Sequence, residues 1–394
     1  MKRVGVRTLV GRLAVMVALV PIAVPGTPVA AEAAQTNAPK APATAVDVKV
    51  VAGGLSHPWG LQFLPDGRML VTEREGRLRI VSSDGHISTP VKGVPAVHAV
   101  RQGGLLDVRL AKDFEKSGTV FLSYSEPRGV GTSATAVARA RLIQDRASGS
   151  GRLEDVKVIF QQQPKQGTSH HYGSRIVIAD DGTLFITTGD RGNGNLAQDP
   201  SATIGKVIHI NADGSVPQNN PKIEGWAPEI WSIGHRNLQG AVIDPKSGRL
   251  WTVEHGARGG DELNHPEAGK NYGWPVISYG RNYSGTKIGV GTAKDGMEQP
   301  IYYWDPSIAT SGLAYYDGGL FPSWKGNLLV GGLAGAQLSR LVMKNDKVVG
   351  QEVLLADRGD RVRDVRVGPD GAVYLLSDDG DGQILKLTPE GSGK

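Results

Sequence analysis

The feature that most constrains the fold is a glycine-centred turn that recurs six times, each time directly before a short apolar strand. Successive turn glycines lie 51, 64, 66, 78 and 45 residues apart. Such a repeat is typical of a propeller, in which each repeat forms one four-stranded blade. The spacing therefore predicts an all-β, six-bladed β-propeller with long site-forming loops on one face. The turn glycines are Gly67, Gly118, Gly182, Gly248, Gly326 and Gly371.

The length of the chain leaves room for long loops. Six blades of roughly 40–45 residues need about 250 residues, and the chain has 394, including 54 glycines and 23 prolines. No window shows sustained helical periodicity, whereas the apolar and polar residues of 68–72 alternate as in a strand. The strand patterns Asp47–Gly53 and Gly382–Leu387 are expected to pair in one blade, because ring closure removes two exposed sheet edges.

The amino terminus has the pattern of an export signal, predicted over residues 1–34. Basic residues precede an apolar run of 12 residues, Leu13–Val24, and small residues follow. That run is too short to span a bilayer. Residues 35–45 read as a disordered Ala/Pro/Thr linker, and residues 46–390 as the propeller catalytic domain. We therefore expect an exported protein, periplasmic or extracellular, with no stable membrane span.

Charge and cysteine content narrow the possible partners. Loss of residues 1–34 removes four basic residues and one acidic residue, so the formal charge falls from +5 to +2. A nucleic-acid partner is not expected. The absence of cysteine excludes disulfides, catalytic thiols and thiolate metal sites. Oxygen ligands remain, and these favour hard cations such as calcium.

Polar residues cluster where several strand patterns end, and they provide the candidate catalytic groups. His171 precedes Asp190 by one strand pair, so a hairpin would place the two side by side, and a histidine base needs such an orienting partner. On this argument alone His170, His235 and His255 remain alternatives. The clusters are residues 101–108, 169–175 with 188–192, 233–237 with 254–264, and 359–365.

Two further groups suggest ligands. Arg361 and Arg363 are two residues apart on a strand, so they face the same side and suit a planar polycarboxylate. Glu254, Asp261 and Glu262 lie among glycines whose carbonyls can bind calcium. Tight turns require the same glycines, so this pattern leaves metal binding open. Residues 254–310 form an insertion that is rich in aromatic residues, which predicts an ordered loop at the site.

Seven stretches, in this order, resemble one known family. The chain resembles the soluble pyrroloquinoline-quinone-dependent sugar dehydrogenases, the glucose/sorbosone dehydrogenase family, and within it the aldose sugar dehydrogenase branch. The resemblance extends from about Val48 to Leu387. The stretches are HPWGLQFLPDGRMLVTEREGRL, QGGLLDV, HYGSRI, IGHRNLQG, EHGARGGDELN, GKNYGWP and RVRDVRVGPDG.

The resemblance implies a function and a role for each site residue. An aldose would be oxidised at its anomeric carbon to a lactone by hydride transfer to pyrroloquinoline quinone (PQQ), and an external acceptor would take the electrons. His171 would be the general base, held in its tautomer by Asp190. Arg236 would stabilise charge on the quinone, and Gln102 would position sugar and cofactor. Further cofactor contacts would come from Asn237, Tyr283, Arg361 and Arg363, and calcium ligands from the carbonyls of Gly256 and Ala257 and, at a second site, from Glu262 and Tyr272.

The chain departs from this family at two positions. Family members commonly place a cofactor-binding lysine after the strand that reads LLVGGL here, and this chain has Ala334. Arg340 and Arg258 are the candidates to replace that charge. Some members carry an acid directly before the catalytic histidine, where this chain has His170. The orientation of His171 would therefore depend more on Asp190.

Two other functions fit the same fold. A calcium-dependent propeller lactonase or esterase would share the fold and the metal, but it would not need the Arg-x-Arg pair or the GHRN segment. A non-catalytic binding propeller is the other alternative, which the alanine at position 334 leaves open. A nicotinamide enzyme is not predicted, because no GxGxxG motif joins a strand to a helix.

Overall fold

The structure is a computed structural model that describes residues 1–2, 5, 34–145 and 149–392. The described strands all lie in one compact unit, Ala33–Lys394. The predicted export signal, residues 1–34, lies almost entirely outside the described residues. In the described part of the chain, no helix is long and apolar enough to cross a membrane.

Six antiparallel sheets build this unit, five of them four-stranded and one three-stranded. This confirms the predicted six-bladed β-propeller. Within the described residues, helical structure is confined to α1 (Phe114–Ser117), α2 (Asn195–Gln198) and a 3₁₀ turn at Pro322–Trp324. The strands are β1 (Val46–Leu55), β2 (Pro58–Phe63), β3 (Met69–Glu73), β4 (Arg77–Val81), β5 (Leu105–Leu110), β6 (Thr119–Pro127), β7 (Ser133–Asp145), β8 (Ser150–Gln161), β9 (Gly173–Ile178), β10 (Leu184–Thr188), β11 (Lys206–Ile210), β12 (Ile230–Ile233), β13 (Leu238–Ile243), β14 (Leu250–Glu254), β15 (Asp261–Asn264), β16 (Tyr302–Trp304), β17 (Thr310–Tyr315), β18 (Leu328–Gly332), β19 (Gln337–Lys344), β20 (Lys347–Leu354), β21 (Val362–Val367), β22 (Val373–Ser377) and β23 (Gly382–Pro389).

Each of the six turn glycines lies between the first and second strands of its blade. Gly67 precedes β3 and Gly182 precedes β10, with φ of +84° and +83°. Glycine adopts this left-handed backbone without the steric cost that a Cβ would add. The repeated glycine therefore marks one hairpin per blade, which is why its spacing follows the blade period.

The two ends of the propeller meet in one blade. Strand β1 pairs antiparallel with β23, and Val48 lies opposite Leu387. The sheet order is β1-β23-β22-β21, so the first strand of the propeller forms the outer edge of the last blade. This confirms the predicted pairing of the two terminal segments.

The apolar core lies between the blades. Six large clusters of buried side chains occur among the described residues, one at each interface between neighbouring blades. Because blades cover one another on both faces, β3 and β10 are buried along their whole length. The alternation seen in residues 68–72 therefore does not separate a buried face from a solvent face.

Residues 35–45 differ from the expected disordered linker. They run alongside β20, where Gln351 donates its backbone N–H to the carbonyl of Pro39 and accepts the N–H of Ala41 at 2.8 Å. Ala41 is buried. The open backbone groups of the edge strand β20 explain this ordering, because an extended segment can satisfy them.

The first strand of each blade lies innermost, and these strands contact one another around the axis. They are β2, β5, β9, β13, β17 and β21. The segments that lead into them open on the same end of the propeller, which we call the mouth. Residues 101–104, 170–172 and 234–237 belong to this set. The mouth thus gathers polar segments that are far apart in the chain.

Candidate active site

His171 and Asp190 lie side by side at the mouth. The Nδ1 atom of His171 is 2.6 Å from Oδ1 of Asp190, which also accepts the N–H of Gly192. Burial raises the pKa of Asp190, but the hydrogen bond from His171 and its charge lower it below the ordinary value overall. The carboxylate is therefore ionised near neutral pH, Nδ1 of His171 carries the proton, and Nε2 is the basic nitrogen.

The backbone of His171 is also held in place. Its N–H donates to Oε1 of Gln102 at 2.7 Å, and its φ is +52°. A left-handed backbone is uncommon for a residue with a side chain, and such conformations concentrate at functional sites. The side chain is 17% exposed, and Nε2 has no hydrogen-bond partner among the described residues. That nitrogen is free to accept a proton.

The three other candidate histidines are less suited to act as the base. His235 is fully buried, and both ring nitrogens are engaged, one by Glu254 and one by Ser232, each at 2.9 Å. Burial and nearby cationic groups lower the pKa of His255 well below its ordinary value. No acidic side chain among the described residues pairs with His170. Of the four, His171 alone combines an orienting carboxylate with a free nitrogen.

Trp274 connects the insertion to this pair. Its Nε1–H donates to Oδ2 of Asp190 at 2.8 Å, and its ring centroid is 5.2 Å from the guanidinium of Arg236. Arg236 in turn donates its backbone N–H to Oε2 of Glu254 at 2.7 Å. Sequence reasoning treated Trp274 only as one aromatic residue of the insertion, although the stretch GKNYGWP contained it.

Arg361 and Arg363 both line a cavity of about 180 Å³ at the mouth. Arg363 is nearly buried and donates to Asp378 and to Oε1 of Gln239. The side chain of Arg361 is 52% exposed and lies 3.9 Å from Asp378. The cavity is lined by Trp59, Arg74, Gln102, Gln239, His255, Ala309, Leu333, Arg361, Arg363 and Asp378. Sequence reasoning missed the roles of Trp59, Arg74 and Asp378.

A buried charge network fills the axis beneath this cavity. Nη1 of Arg175 lies 3.1 Å from both Asp107 and Asp364, which belong to β5 and β21. The guanidinium of Arg175 packs 4.3 Å from the ring of Trp59, which lines the cavity. All three charged side chains are inaccessible to solvent. The cavity therefore has a closed floor.

Two predicted ligand residues are placed differently from the rest. Tyr283 is 76% exposed, in a hairpin whose stem pairs Arg281 with Lys287, and it does not line the cavity. The hydroxyl of Tyr272 donates to the carbonyl of His265 and accepts the N–H of Glu267. Its side-chain oxygen is therefore engaged, and the backbone carbonyl is the atom left to bind a metal.

Three of the four predicted calcium residues, all except Ala257, border one small cavity. Glu262 lies directly opposite Glu254 across β14 and β15, and Nδ2 of Asn264 donates to both carboxyl groups at 3.0 Å. Burial, and then the charge of Glu254, raise the pKa of Glu262 to about 8. A cavity of about 10 Å³ is lined by Gly256, Glu262 and Tyr272, among others. That volume holds one ion or one water.

The donor set at this position fits a hard cation. No group of three or more histidine or carboxylate side chains clusters for metal binding within the described residues. Any metal here therefore depends on backbone carbonyls together with a carboxylate, which are ligands that calcium accepts. A cation would also relieve the repulsion between the facing Glu254 and Glu262 carboxylates.

Unpartnered polar atoms at the mouth fit an anionic, oxygen-rich ligand. Among the buried nitrogen atoms that have no hydrogen-bond partner within the described residues, four belong to residues of the mouth: Nε of Arg236, Nδ2 of Asn237, Nε2 of His255 and Nε of Arg363. Each unsatisfied buried polar group costs about 1–3 kcal/mol. A ligand that carries several acceptor oxygens would satisfy them, as the quinone implied by the resemblance does.

Arg340 does not replace the lysine that this chain lacks. Its Nε donates to Glu352 at 2.6 Å in a buried ion pair, and Nη2 donates to the carbonyl of Pro42. The expectation that Arg340 replaces the charge of the missing lysine is therefore wrong, because its guanidinium already pairs with Glu352 on the outer strand of the blade. Ala334 itself lies in the turn after β18, where its N–H donates to the carbonyl of Ile308.

This chain is similar in sequence to known sugar dehydrogenases. The family model described as glucose/sorbosone dehydrogenase matches residues 55–386. An aldose sugar dehydrogenase of Escherichia coli K12, YliI, is 45% identical over 354 residues, which cover 89% of this chain and 94% of the relative. These matches span almost the whole propeller.

Two solved structures of aldose sugar dehydrogenases share the fold. The soluble enzyme from Escherichia coli, in its apo form, superposes with a TM-score of 0.84 at 44% identity and covers 88% of this chain and all of the other. The PQQ-bound enzyme from Streptomyces coelicolor has a TM-score of 0.73 at 29% identity, covering 88% of this chain and 99% of the other.

Proposed function

The chain belongs to the glucose/sorbosone dehydrogenase family and is a sugar dehydrogenase acting on CH–OH donors; we propose that it is an exported quinoprotein that oxidises aldoses to lactones with PQQ. The electrons then pass to an external acceptor. The observation that carries this proposal is that the mouth holds four unpartnered buried nitrogen atoms together with the His171–Asp190 pair. A propeller hydrolase would not need so many donors beside one base.

The residues of the mouth have distinct roles in this reaction. Nε2 of His171 accepts the proton of the anomeric hydroxyl, and Asp190 keeps the opposite nitrogen protonated and stabilises the charged ring that results. Gln102 fixes the backbone of His171 through its N–H. PQQ, when bound, supplies the two-electron acceptor for the hydride of the anomeric carbon.

Cofactor binding is assigned to cationic and amide groups around the cavity. Arg361 and Arg363 would bind carboxylates, and Arg236 and Asn237 would donate to further oxygens through the nitrogen atoms that lack partners. Tyr283 would contact the cofactor from the exposed side of the mouth. Trp59 and Trp274 add apolar surface that excludes water.

Calcium is proposed at two places. The carbonyls of Gly256 and Ala257 would hold one ion at the mouth, and Glu262 with the carbonyl of Tyr272 would hold a second in the small cavity. The second ion replaces the proton that Glu262 otherwise retains near neutral pH. It would thereby fix β15 and the start of the insertion.

The experiment that tests this function uses purified protein that is loaded with calcium and PQQ. Dye reduction with glucose and a phenazine mediator is compared with protein that lacks PQQ and with protein treated with a chelator. Dye reduction that requires PQQ supports the proposal. Lactone hydrolysis without PQQ, or inactivity in both assays, would instead favour the hydrolase or the binding propeller.

A further inference from the structure

A pair of nitrogen-bearing side chains, Arg101 and His170, lies at the rim of the mouth. Nη1 of Arg101 is 3.4 Å from Nε2 of His170. Arg101 is exposed, and it has no acidic partner among the described residues. Arg101 directly precedes Gln102 and His170 directly precedes His171, so the pair borders the catalytic base.

The backbone that carries this pair is held before any ligand arrives. The N–H of Gln102 donates to the carbonyl of Ser169, which joins the two segments at 3.2 Å. Nε of the buried Arg191 donates to the carbonyl of His170 at 3.0 Å. Arg101 itself has a left-handed φ of +54°. A fixed backbone lowers the entropy that a ligand must overcome.

The charge around His170 is one-sided. Burial, followed by the nearby Arg101, lowers the pKa of His170 below its ordinary value. The three side chains that act on it, Arg101, His171 and Arg191, all favour its neutral form, and no acidic side chain in the described part of the chain offsets them. An anion at the rim would offset this excess positive charge, and the planar fork of an arginine suits a carboxylate or a phosphate.

We propose that Arg101 and His170 form a subsite for an anionic group on the sugar, so that the substrates include acidic aldoses. In a pyranose only the ring oxygen separates C1 from C5, so a substituent on C5 lies on the same edge of the ring as the anomeric carbon. With the anomeric carbon at His171, that substituent can reach the adjoining rim, where Arg101 and His170 lie. A hexuronate or a sugar 6-phosphate carries its charge on that substituent. This inference rests on the proposed function, since it names the substrate class of the same site.

The first test compares three aldoses that differ at carbon 6: glucose, glucuronate and glucose 6-phosphate. Replacing Arg101 by glutamine (Arg101→Gln) is expected to raise KM for the two anionic sugars roughly three- to tenfold, as for a partly exposed charge pair. The kcat/KM for glucose should change less than about twofold. Equal losses for all three sugars would overturn the proposal, because the change would then reflect a disturbed Gln102 loop.

The matched control is Arg152→Gln. Arg152 is an exposed arginine on β8 that pairs with Glu154, remote from the mouth. It should leave the kinetics of all three sugars unchanged, and a selective loss with anionic sugars in this variant would show a general charge effect and overturn the subsite.

The second test measures binding without turnover. Methyl β-D-glucuronide and methyl β-D-glucoside have a blocked anomeric oxygen, so calorimetric titration of the PQQ-loaded protein reports affinity alone. The glucuronide is expected to bind roughly three- to tenfold tighter, and this preference should vanish in Arg101→Gln and weaken at high salt. Equal affinities in the unmodified protein would overturn the proposal.

A third measurement separates this inference from the proposed function. Absorbance titration with PQQ should give the same affinity for Arg101→Gln as for the unmodified protein. A weaker affinity, with the sugar preference unchanged, would assign Arg101 to the cofactor and overturn the subsite. Failure of the proposed function would appear independently, as an absence of PQQ-dependent dye reduction with glucose in the unmodified protein.

Discussion

The imidazole of His171 and the carboxylate of Asp190 are joined by a 2.6 Å contact between Nδ1 and Oδ1. Asp190 is held from its other side by the indole of Trp274, which comes from the insertion 84 residues further along the chain. This arrangement gives the ring one proton position and leaves Nε2 directed away from the carboxylate. This geometry supports the proposed role of His171 as the base that accepts a proton from the substrate.

Replacing Asp190 by asparagine removes the negative charge of this side chain but keeps its shape. In Asp190→Asn the amide NH₂ must face either the N–H of His171 or that of Trp274, so one donor loses its acceptor. We expect kcat to fall by about 10²–10⁴-fold, with little change in PQQ affinity. The matched control, Asp181→Asn, alters a turn at the far end of β10. Near-normal turnover in Asp190→Asn would contradict this account.

Removing the base itself is the direct test of His171. His171→Ala should lower turnover by at least about 10²-fold, because general-base catalysis contributes that much. PQQ binding, followed by absorbance titration, should stay largely intact, since cofactor contacts are assigned to other residues. His86→Ala changes an exposed turn histidine and serves as the control. Loss of PQQ binding with normal turnover per bound cofactor would mean that His171 holds the cofactor.

Glu262 should couple calcium to stability in a pH-dependent way. Its pKa is about 8 in the folded protein and near 4.5 in its ordinary state. Between these values the folded protein keeps a proton that the unfolded chain has lost, so the metal-free protein loses stability as pH rises through this window. Calcium replaces the proton, and we therefore expect it to raise Tm more at pH 8 than at pH 5.

The Glu262→Gln variant checks that assignment. It should remove both the extra fall in stability with rising pH and the calcium-induced rise in Tm, each measured by thermal unfolding with calcium or with a chelator. Glu115→Gln, at an exposed glutamate of α1, is the matched control. A full calcium effect in Glu262→Gln would place the ion elsewhere.

Arg363 and Arg361 should differ in their effects on stability. Arg363 forms a nearly buried ion pair with Asp378, and although burial opposes it, this pairing holds the pKa of Asp378 below its ordinary range. Arg363→Gln would remove the main partner of this buried carboxylate and leave it only His57 at 3.1 Å and Arg361 at 3.9 Å, which costs roughly 1.5–3 kcal/mol of unfolding free energy near neutral pH. The deficit should shrink as acid protonates Asp378, because that pairing contributes only while the carboxyl is ionised.

Arg361 is the matched comparison, two residues away. Its side chain is half exposed, so Arg361→Gln should change the free energy of unfolding by less than about 0.5 kcal/mol. Arg361→Gln should nevertheless weaken PQQ binding, because the guanidinium of Arg361 lines the cavity and forms a weaker ion pair with Asp378 than that of Arg363 does. Denaturant unfolding and absorbance titration measure the two effects. Equal destabilisation by both substitutions would contradict the assignment.

Much of the fold could be predicted because its determinants are local. A glycine such as Gly182 is needed wherever a tight hairpin requires a positive φ, so six hairpins leave six marks in the sequence. The pairing of β1 with β23 followed from the same pattern, since an unpaired first and last strand would leave open sheet edges. That residues 35–45 adopt an ordered conformation was not predictable from composition, because this conformation depends on hydrogen bonds with the open edge of β20.

The site was less accessible to sequence reasoning. The residues of the mouth could be proposed singly, from residue type and from family resemblance, but their partners could not. Arg340 is an example: its sequence position suggested a free charge, whereas the fold places it against Glu352. Trp274 is the opposite example. Its sequence position suggested only an aromatic residue of the insertion, whereas in the fold its hydrogen bond to Asp190 makes it part of the site.

The sequence by itself determined the number of blades, the closure of the ring and the position of each hairpin, since these depend on backbone conformations that neighbouring residues impose. Only the tertiary structure decided which charges meet at the mouth. Segments that lie tens of residues apart converge there when the six inner strands close around the axis. The contacts and the burial at the mouth then leave Nε2 of His171 free and let Glu262 keep its proton. They also leave Arg361, rather than Arg363, available for a ligand.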